Sequence, residues 1–194
     1  MDTGKGKPIT TLYYIPNIIG YSRVVLLFIA LICSSRMFVI LYSVSYLLDA
    51  LDGYAARILK QESQLGYILD MATDRASSAI LIIKTITLHP KMFIPLCGFL
   101  IVDIISHMFC IVHRCVSKTS HKVHAGSGLI DRVLSFYYIK PVLFIVCLGS
   151  EVFLLNSICL NNTSVYLICG SIFAFKHLTN MLQLYKAAIG LSKE

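Results

Sequence analysis

Charged residues are scarce in this sequence. Only 14% of its 194 residues are Asp, Glu, Lys or Arg, and the acidic ones number only 10. A soluble globular domain carries about 25% charged residues, so the scarcity excludes an ordinary soluble domain. A disordered chain is excluded as well, because such chains are poor in apolar residues, whereas 57% of these residues are hydrophobic.

Paired-cysteine motifs, dense basic runs and a signal-peptide cleavage site are also missing. The 7 cysteines are scattered with no Cys-x-x-Cys, so we expect thiols that pack as small hydrophobic groups. The net charge of +7 is spread along the chain, which disfavours a nucleic-acid partner and favours anionic lipid headgroups. Because no small-residue cleavage site follows the first apolar run, we expect that run to be retained.

Long apolar runs are what the sequence has instead. The mean hydropathy is +0.76, and a membrane-spanning helix needs about 20 mostly apolar residues. We therefore predict an all-α polytopic membrane protein, a single domain over residues 1–194 that begins with a cytosolic tail at residues 1–14. The six predicted transmembrane helices are residues 17–34, 38–56, 65–89, 93–112, 141–160 and 164–189.

The distribution of basic residues predicts the orientation in the membrane. With six spans, the two termini and the long loops 57–64 and 113–140 share one face, which carries 11 Lys and Arg residues when Lys186 near the end of the last span is included. The opposite face carries only Arg36, Lys84 and Lys91. Because cytosolic loops carry the excess of Lys and Arg, we predict that both termini and both long loops are cytosolic.

Four acidic residues lie close together in apolar surroundings: Asp49, Asp52, Asp70 and Asp74. An ionised carboxylate in a membrane helix is costly, so each must face a cavity and have a partner. The first two share one helix face and the last two share another, and the short link 57–64 makes the two helices antiparallel neighbours. The residues alone leave two readings open, a site for divalent cations and a proton or ion relay in a transporter.

The spacing around these aspartates is the most specific pattern in the chain. It reads Asp49-x₂-Asp52-Gly53-x₂-Ala56-Arg57-x₈-Gly66-x₃-Asp70-x₃-Asp74. This segment resembles the signature of the CDP-alcohol phosphatidyltransferases at every fixed position. The resemblance implies a membrane enzyme that acts on CDP-diacylglycerol with two divalent ions, Mg²⁺ or Mn²⁺, which would clamp phosphate oxygens.

The resemblance also implies a role for each signature residue. Four carboxylates would ligate the metal ions, namely Asp49, Asp52, Asp70 and Asp74. Asp74 would also be the catalytic general base. Four residues would bind CDP-diacylglycerol, namely Gly53, Ala56, Arg57 and Ser63. Elementary chemistry agrees, because glycine lets a ligand approach the backbone closely and an arginine binds phosphate with two hydrogen bonds.

Further motifs are similar to those of the eukaryotic family members that transfer the phosphatidyl group to myo-inositol. They are Pro16-Asn17-Ile18-Ile19-Gly20-Tyr21-x-Arg23, Asp103-x₂-Ser106-His107, Lys118-Thr119-Ser120-His121-Lys122 and Phe136-Tyr137-Tyr138. This similarity implies an inositol acceptor, a homodimer, and a place in the endoplasmic reticulum with the active site facing the cytosol. The candidate acceptor pocket consists of Asp103, Ser106, His107 and Lys122, although Asp103 and His107 are equally well explained as a buried pair that holds helices together.

Two rival functions stay open at this point. One is a sibling enzyme of the same family that uses glycerol phosphate or serine as the acceptor. The other is an ion-coupled transporter with the four acids as its relay. A transporter would need acids or broken helices along the whole depth of the membrane, whereas these acids cluster near one face. Arg23 and Arg75 are expected to balance the charge of the acidic cluster. Lys176 and His177 are expected to have a structural role, either by snorkelling to the interface or by pairing with Glu151.

Overall fold

The computed structural model describes residues 8–116 and 128–193, and every regular element in these two ranges is a helix. The predicted all-α class is therefore confirmed. A 3₁₀ turn at Pro90–Met92 precedes α5, and a π-helical turn at Asn156–Leu160 follows α7. The α-helices are α1 (Pro8–Leu12), α2 (Ile15–Ile32), α3 (Ser35–Ile58), α4 (Gln64–Leu88), α5 (Phe93–Val116), α6 (Leu129–Tyr137), α7 (Lys140–Leu155) and α8 (Thr163–Leu191).

Five stretches of the described chain are long and apolar enough to cross a membrane. They are Ile15–Ile32, Ser35–Ile58, Pro90–Val116, Lys140–Leu160 and Thr163–Leu191. They match five of the six predicted spans to within a few residues and make the chain an integral membrane protein. The remaining predicted span is α4, whose 25 residues give a helix of about 37 Å at 1.5 Å per residue.

Composition is what separates α4 from the other long helices. It carries Asp70, Asp74, Arg75 and Lys84, so every 18-residue window of it contains at least three charged residues, whereas α3 has such a window with only two. Charges inside a membrane helix are rare and mark functional sites. Helix α4 thus departs most from the pattern of a lipid-facing span. It is also one of the two helices that carry the aspartate signature.

Asparagines shape the connection between α7 and α8. Asn161 has a φ of +51°, in the left-handed region that Asn tolerates better than most residues. Asn162 caps α8, because its Oδ1 accepts hydrogen bonds from the backbone N–H groups of Ser164 (2.9 Å) and Val165 (3.2 Å). The short connection predicted at residues 161–163 is confirmed.

The chain divides into two compact units, and the division falls within α4 after Ile80. In the first unit α2 packs along α3, with Leu27, Ala30, Phe38 and Tyr42 almost completely buried. An added Cβ at Gly20 would lie 3.1 Å from Cδ2 of Leu69. This glycine therefore lets α2 and α4 approach closely.

In the second unit α5 and α7 both pack against α8. Leu96, Val146, Leu154 and Phe173 form its apolar core. An added Cβ at Gly149 would lie 2.8 Å from the side chain of Ile172, so α7 and α8 cross at close range there. Small residues permit this kind of close helix packing in membranes.

Helix α6 is a correction to the loop predicted at residues 113–140. Helix α5 continues to Val116, and α6 begins at Leu129. One face of α6 buries Leu134 and Tyr137, while Asp131 on that face pairs with Lys186 of α8. At nine residues the helix is too short to span a membrane, and a search for long apolar runs passes over it.

Candidate metal and substrate site

Four signature carboxylates converge on one arginine in the first unit. Asp49 and Asp52 lie near the end of α3, and Asp70 and Asp74 lie near the start of α4. Only residues 59–63 separate these two helices, so the end of one is held near the start of the next. The predicted convergence of the four acids at one place is what the structure has.

Arg23 of α2 is the hub of this cluster. Its Nη1 lies 2.5 Å from Oδ1 of Asp49, 3.1 Å from Oδ2 of Asp52 and 3.6 Å from Oδ1 of Asp70. Its Nη2 donates a hydrogen bond of 2.8 Å to Oδ1 of Asp74. The sequence predicted that Arg23 balances the charge of the acidic cluster, and the structure adds that it contacts all four acids.

Three of the four acids are arranged so that they could hold a metal ion. Ligand oxygens of Asp49, Asp70 and Asp74 lie within 4.8 Å of one another, and all three residues are partly exposed. Oδ1 of Asp49 is buried, and the charge that faces it is the guanidinium of Arg23. Hard carboxylate oxygens of this kind suit Mg²⁺ or Mn²⁺, so the residues present fit a divalent cation. Asp52 stands apart from this group and is more deeply buried.

The two signature glycines have different surroundings. An added Cβ at Gly53 would lie 3.5 Å from Nη1 of Arg57, an exposed side chain that folds back along α3. Gly53 and Ala56 are half-buried beside it. This stretch of α3 therefore presents a surface without large side chains next to a guanidinium. A nucleotide can approach the backbone there, and the guanidinium can bind its phosphate.

Gly66, by contrast, lies against protein atoms. An added Cβ there would lie 3.1 Å from Oδ1 of Asn17 and 3.2 Å from Oγ of Ser63. Ser63 Oγ accepts a hydrogen bond from the Gly66 N–H (3.0 Å) and so caps the start of α4. Asn17 in turn donates to the carbonyl of Thr11 (2.7 Å). Gly66 thus makes room for the start of α2, a role that its spacing in the sequence does not reveal.

The predicted acceptor residues lie in the second unit, on α5. Asp103 and Ser106 are 2% and 0% exposed, and His107 is partly buried. Oδ1 of Asp103 accepts a hydrogen bond of 2.8 Å from Asn180 of α8, and Nδ1 of His107 lies 2.8 Å from the Asp103 carbonyl. Lys122, the fourth predicted residue, lies outside the described residues.

Other polar side chains of the second unit are buried as well, among them Glu151, Lys176 and His177. Nζ of Lys176 on α8 lies 3.7 Å from Oε1 of Glu151 on α7, so of the two predicted arrangements the structure has the pairing. The ring of His177 stacks on Phe99 with centroids 4.4 Å apart. We call Asp103, His107, Glu151, Lys176, His177 and Asn180 the second-unit polar group.

Comparison with known proteins gives one consistent result. The family model of the CDP-alcohol phosphatidyltransferases matches residues 13–180. The chain is 38% identical to the CDP-diacylglycerol–inositol 3-phosphatidyltransferase of Saccharomyces cerevisiae, over 93% of this chain and 87% of that protein. It is 31% identical to the Schizosaccharomyces pombe protein of the same name over 100% and 94%, and 37% identical to the human one over 72% and 67%. No solved structure matches it significantly.

Proposed function

Because the chain belongs to the CDP-alcohol phosphatidyltransferase family, we propose that it transfers the phosphatidyl group from CDP-diacylglycerol to myo-inositol. The products are phosphatidylinositol and CMP. Relatives from yeasts and animals that carry this activity in their names support the choice of acceptor. The observation that carries the chemistry is the convergence of Asp49, Asp70 and Asp74 within 4.8 Å.

The metal site consists of signature carboxylates. Members of this family are generally dependent on divalent metal ions, and we propose two ions of Mg²⁺ or Mn²⁺ here. Asp49, Asp70 and Asp74 would hold them, with Asp52 as the fourth ligand. When bound, the ions neutralise charge on the diphosphate and on the departing CMP.

Asp74 is the residue we assign as general base. It is partly exposed, so an acceptor hydroxyl can reach it, and its Oδ1 is already oriented by the hydrogen bond from Arg23. Asp74 would take the proton of an inositol hydroxyl as that oxygen attacks the β-phosphorus. The bond between the β-phosphorus and the bridging oxygen breaks, and CMP leaves with that oxygen.

The nucleotide end of the substrate fits the surface of α3 around Gly53. Gly53 and Ala56 are half-buried and carry no large side chain, and Arg57 lies beside them and is exposed. We propose that Arg57 binds a phosphate of CDP-diacylglycerol. Ser63 would contact the nucleotide from the start of α4, while its Oγ also caps that helix.

The acceptor end of the site stays a prediction. Inositol is neutral and has several hydroxyl groups, so a pocket for it needs mixed donors and acceptors rather than a cluster of bases. Asp103, Ser106, His107 and Lys122 supply such a mixed set. We keep them as the proposed acceptor residues, and kinetic measurements on His107 can decide the matter.

The cellular setting is proposed from the same resemblance. We propose six spans including α4, one family domain, a homodimer in the endoplasmic reticulum, and a cytosolic active site. Glu62 is exposed in the loop between α3 and α4, so it suits a test of orientation. A cysteine placed there in a variant without the native cysteines should react with an impermeant thiol reagent only from the cytosolic side, and lumenal labelling would contradict the proposal.

The experiment that tests the function is CMP release by the purified protein. The assay combines CDP-diacylglycerol in mixed micelles with myo-inositol, glycerol phosphate, serine or no acceptor, with and without Mn²⁺. We expect release that requires both Mn²⁺ and myo-inositol. A preference for glycerol phosphate or serine would show a sibling enzyme with the same metal chemistry, and no release with any acceptor would contradict the proposed activity.

A further inference from the structure

Arg23 lies outside the aspartate signature, yet it is the residue that contacts all four signature acids. Its two terminal nitrogens reach the carboxylates of Asp49, Asp52, Asp70 and Asp74 at 2.5–3.6 Å. The contacts come from α2, whereas the acids come from α3 and α4. One guanidinium therefore ties three helices of the first unit together through charge.

The burial of the two partners is unequal. The Arg23 side chain is 2% exposed, while those of Asp49 and Asp70 are 32% and 40% exposed. Nε of Arg23 is buried without a hydrogen-bond partner, which is a costly state for a donor. The attraction of the carboxylates offsets that cost. The guanidinium therefore lies on the buried side of the cluster, while Asp49 and Asp70 keep part of their surface exposed.

Charge makes Arg23 and a metal ion competitors. One guanidinium against four carboxylates leaves the cluster strongly negative, so it still attracts divalent cations. Nη1 of Arg23 nevertheless already lies close to Asp49 and Asp70, whose oxygens belong to the group that could hold a metal. A divalent ion bound by these oxygens and the guanidinium repel each other, because both are cations at short range.

We propose that Arg23 is a resident cation that holds the four carboxylates together when no metal is bound, and that divalent ions bind in competition with it. The proposal rests on the metal site of the proposed function. It makes Arg23 a positioning residue with two opposite effects. Arg23 stabilises the metal-free protein, and it lowers the affinity of the site for metal.

The test measures Mn²⁺ binding by electron paramagnetic resonance, on purified protein without substrate, together with the melting temperature in EDTA. We expect Arg23→Gln to melt at a lower temperature than the unmodified protein in EDTA. It should bind Mn²⁺ about tenfold more tightly, an effect within the usual range of coupling between two sites. Arg23→Lys should lie between the two, because a single ammonium group reaches fewer carboxylates.

Arg36→Gln is the matched control. It removes the same charge from an exposed position at the other end of α3, about 20 Å along the helix from Asp49 at 1.5 Å per residue. We expect it to change neither measurement. If Arg23→Gln does not fold in EDTA, the lysine variant decides, since the proposal requires it to bind Mn²⁺ more tightly than the unmodified protein.

Unchanged or weaker Mn²⁺ binding by the Arg23 variants would overturn the proposal, because Arg23 would then support the metal rather than compete with it. That failure is distinct from failure of the proposed function. If the unmodified protein bound no Mn²⁺, both would fall. If the unmodified protein bound Mn²⁺ with the same affinity as Arg23→Gln, only the proposed role of Arg23 would be contradicted.

Discussion

Two groups of polar side chains lie within the helices of this protein, and they differ in charge and in exposure. The signature acids of the first unit face one arginine, and the side chains of Asp49 and Asp70 are 32% and 40% exposed. In the second-unit polar group Glu151 is matched by Lys176, and both side chains are about nine-tenths buried. An unbalanced and partly exposed cluster is arranged to receive a cation, whereas a matched and enclosed pair such as Glu151 and Lys176 is arranged to hold helices together.

The same physics explains both groups. A charge removed from water needs a partner of opposite sign, and a pair that is complete and enclosed has little left to offer a ligand. In the first unit the pairing is incomplete, so the residual negative charge attracts divalent ions. Polar residues in membrane helices are functional candidates by default, and charge balance is the further criterion that separates these two groups.

Loss of a ligand in the first unit should have the largest effect. We expect Asp70→Ala to reduce CMP release to background, since even an outer partner of a metal ligand is worth about 10–100-fold. Asp49→Ala and Asp52→Ala should behave in the same way. Asp131→Ala is the control, because it removes an acid that pairs with Lys186 in the second unit. Normal turnover in a folded Asp70→Ala variant would contradict the metal site.

Asp74→Asn should separate binding from turnover. The amide keeps an oxygen that can face a cation, but it cannot accept the proton of the acceptor. We expect the rate of CMP release to fall by about 10²–10⁴-fold, the usual contribution of a general base, with a much smaller change in CDP-diacylglycerol affinity. The check is a rate measurement beside a binding measurement, and equal losses in both would reduce Asp74 to a metal ligand.

Breaking the ion pair of the second unit should affect stability and not the metal site. Lys176→Met removes the positive charge that faces the buried Glu151, and breaking a buried ion pair in this way should cost about 3–5 kcal/mol. The double variant Lys176→Met and Glu151→Gln removes both charges and should recover most of that loss. Unfolding in detergent measures the effect. A single variant as stable as the unmodified protein would show that this pair contributes nothing to packing.

His107→Ala tests whether the second-unit polar group is purely structural or also binds the acceptor. We expect the KM for inositol to rise by up to about tenfold, as one hydrogen bond of about 0.5–1.5 kcal/mol supports. The KM for CDP-diacylglycerol should change less. Loss of stability with both KM values unchanged would assign His107 to packing alone.

Features that depend on local spacing could be predicted from the sequence. Apolar runs of about 20 residues predicted the long helices, and the capping preference of asparagine fits the turn before α8. The i,i+3 and i,i+4 spacing of the aspartates predicted their shared faces. Each of these signals depends on residues that are close in the sequence, so it can be read without knowing which helices pack together.

Features that depend on contacts between distant segments could not be predicted from the sequence. The charge of Arg23 suggested that it balances the acidic cluster, but not that it contacts all four acids, which lie 26–51 positions further along the chain. Gly66 resembles a glycine kept small for a ligand, yet Asn17 fills the space beside it. Helix α6 was not predicted because it has only nine residues and is apolar on one face only, so it contains no long apolar run.

The measurement that tests the account most directly is Mn²⁺ binding, compared across the two polar groups in purified protein without substrate. The account predicts that the unmodified protein and the double variant Lys176→Met and Glu151→Gln bind Mn²⁺ alike, and that Asp70→Ala loses this binding. Retention of full Mn²⁺ binding by Asp70→Ala, or its loss in the double variant, would contradict the claim that the acid cluster of the first unit is the metal site.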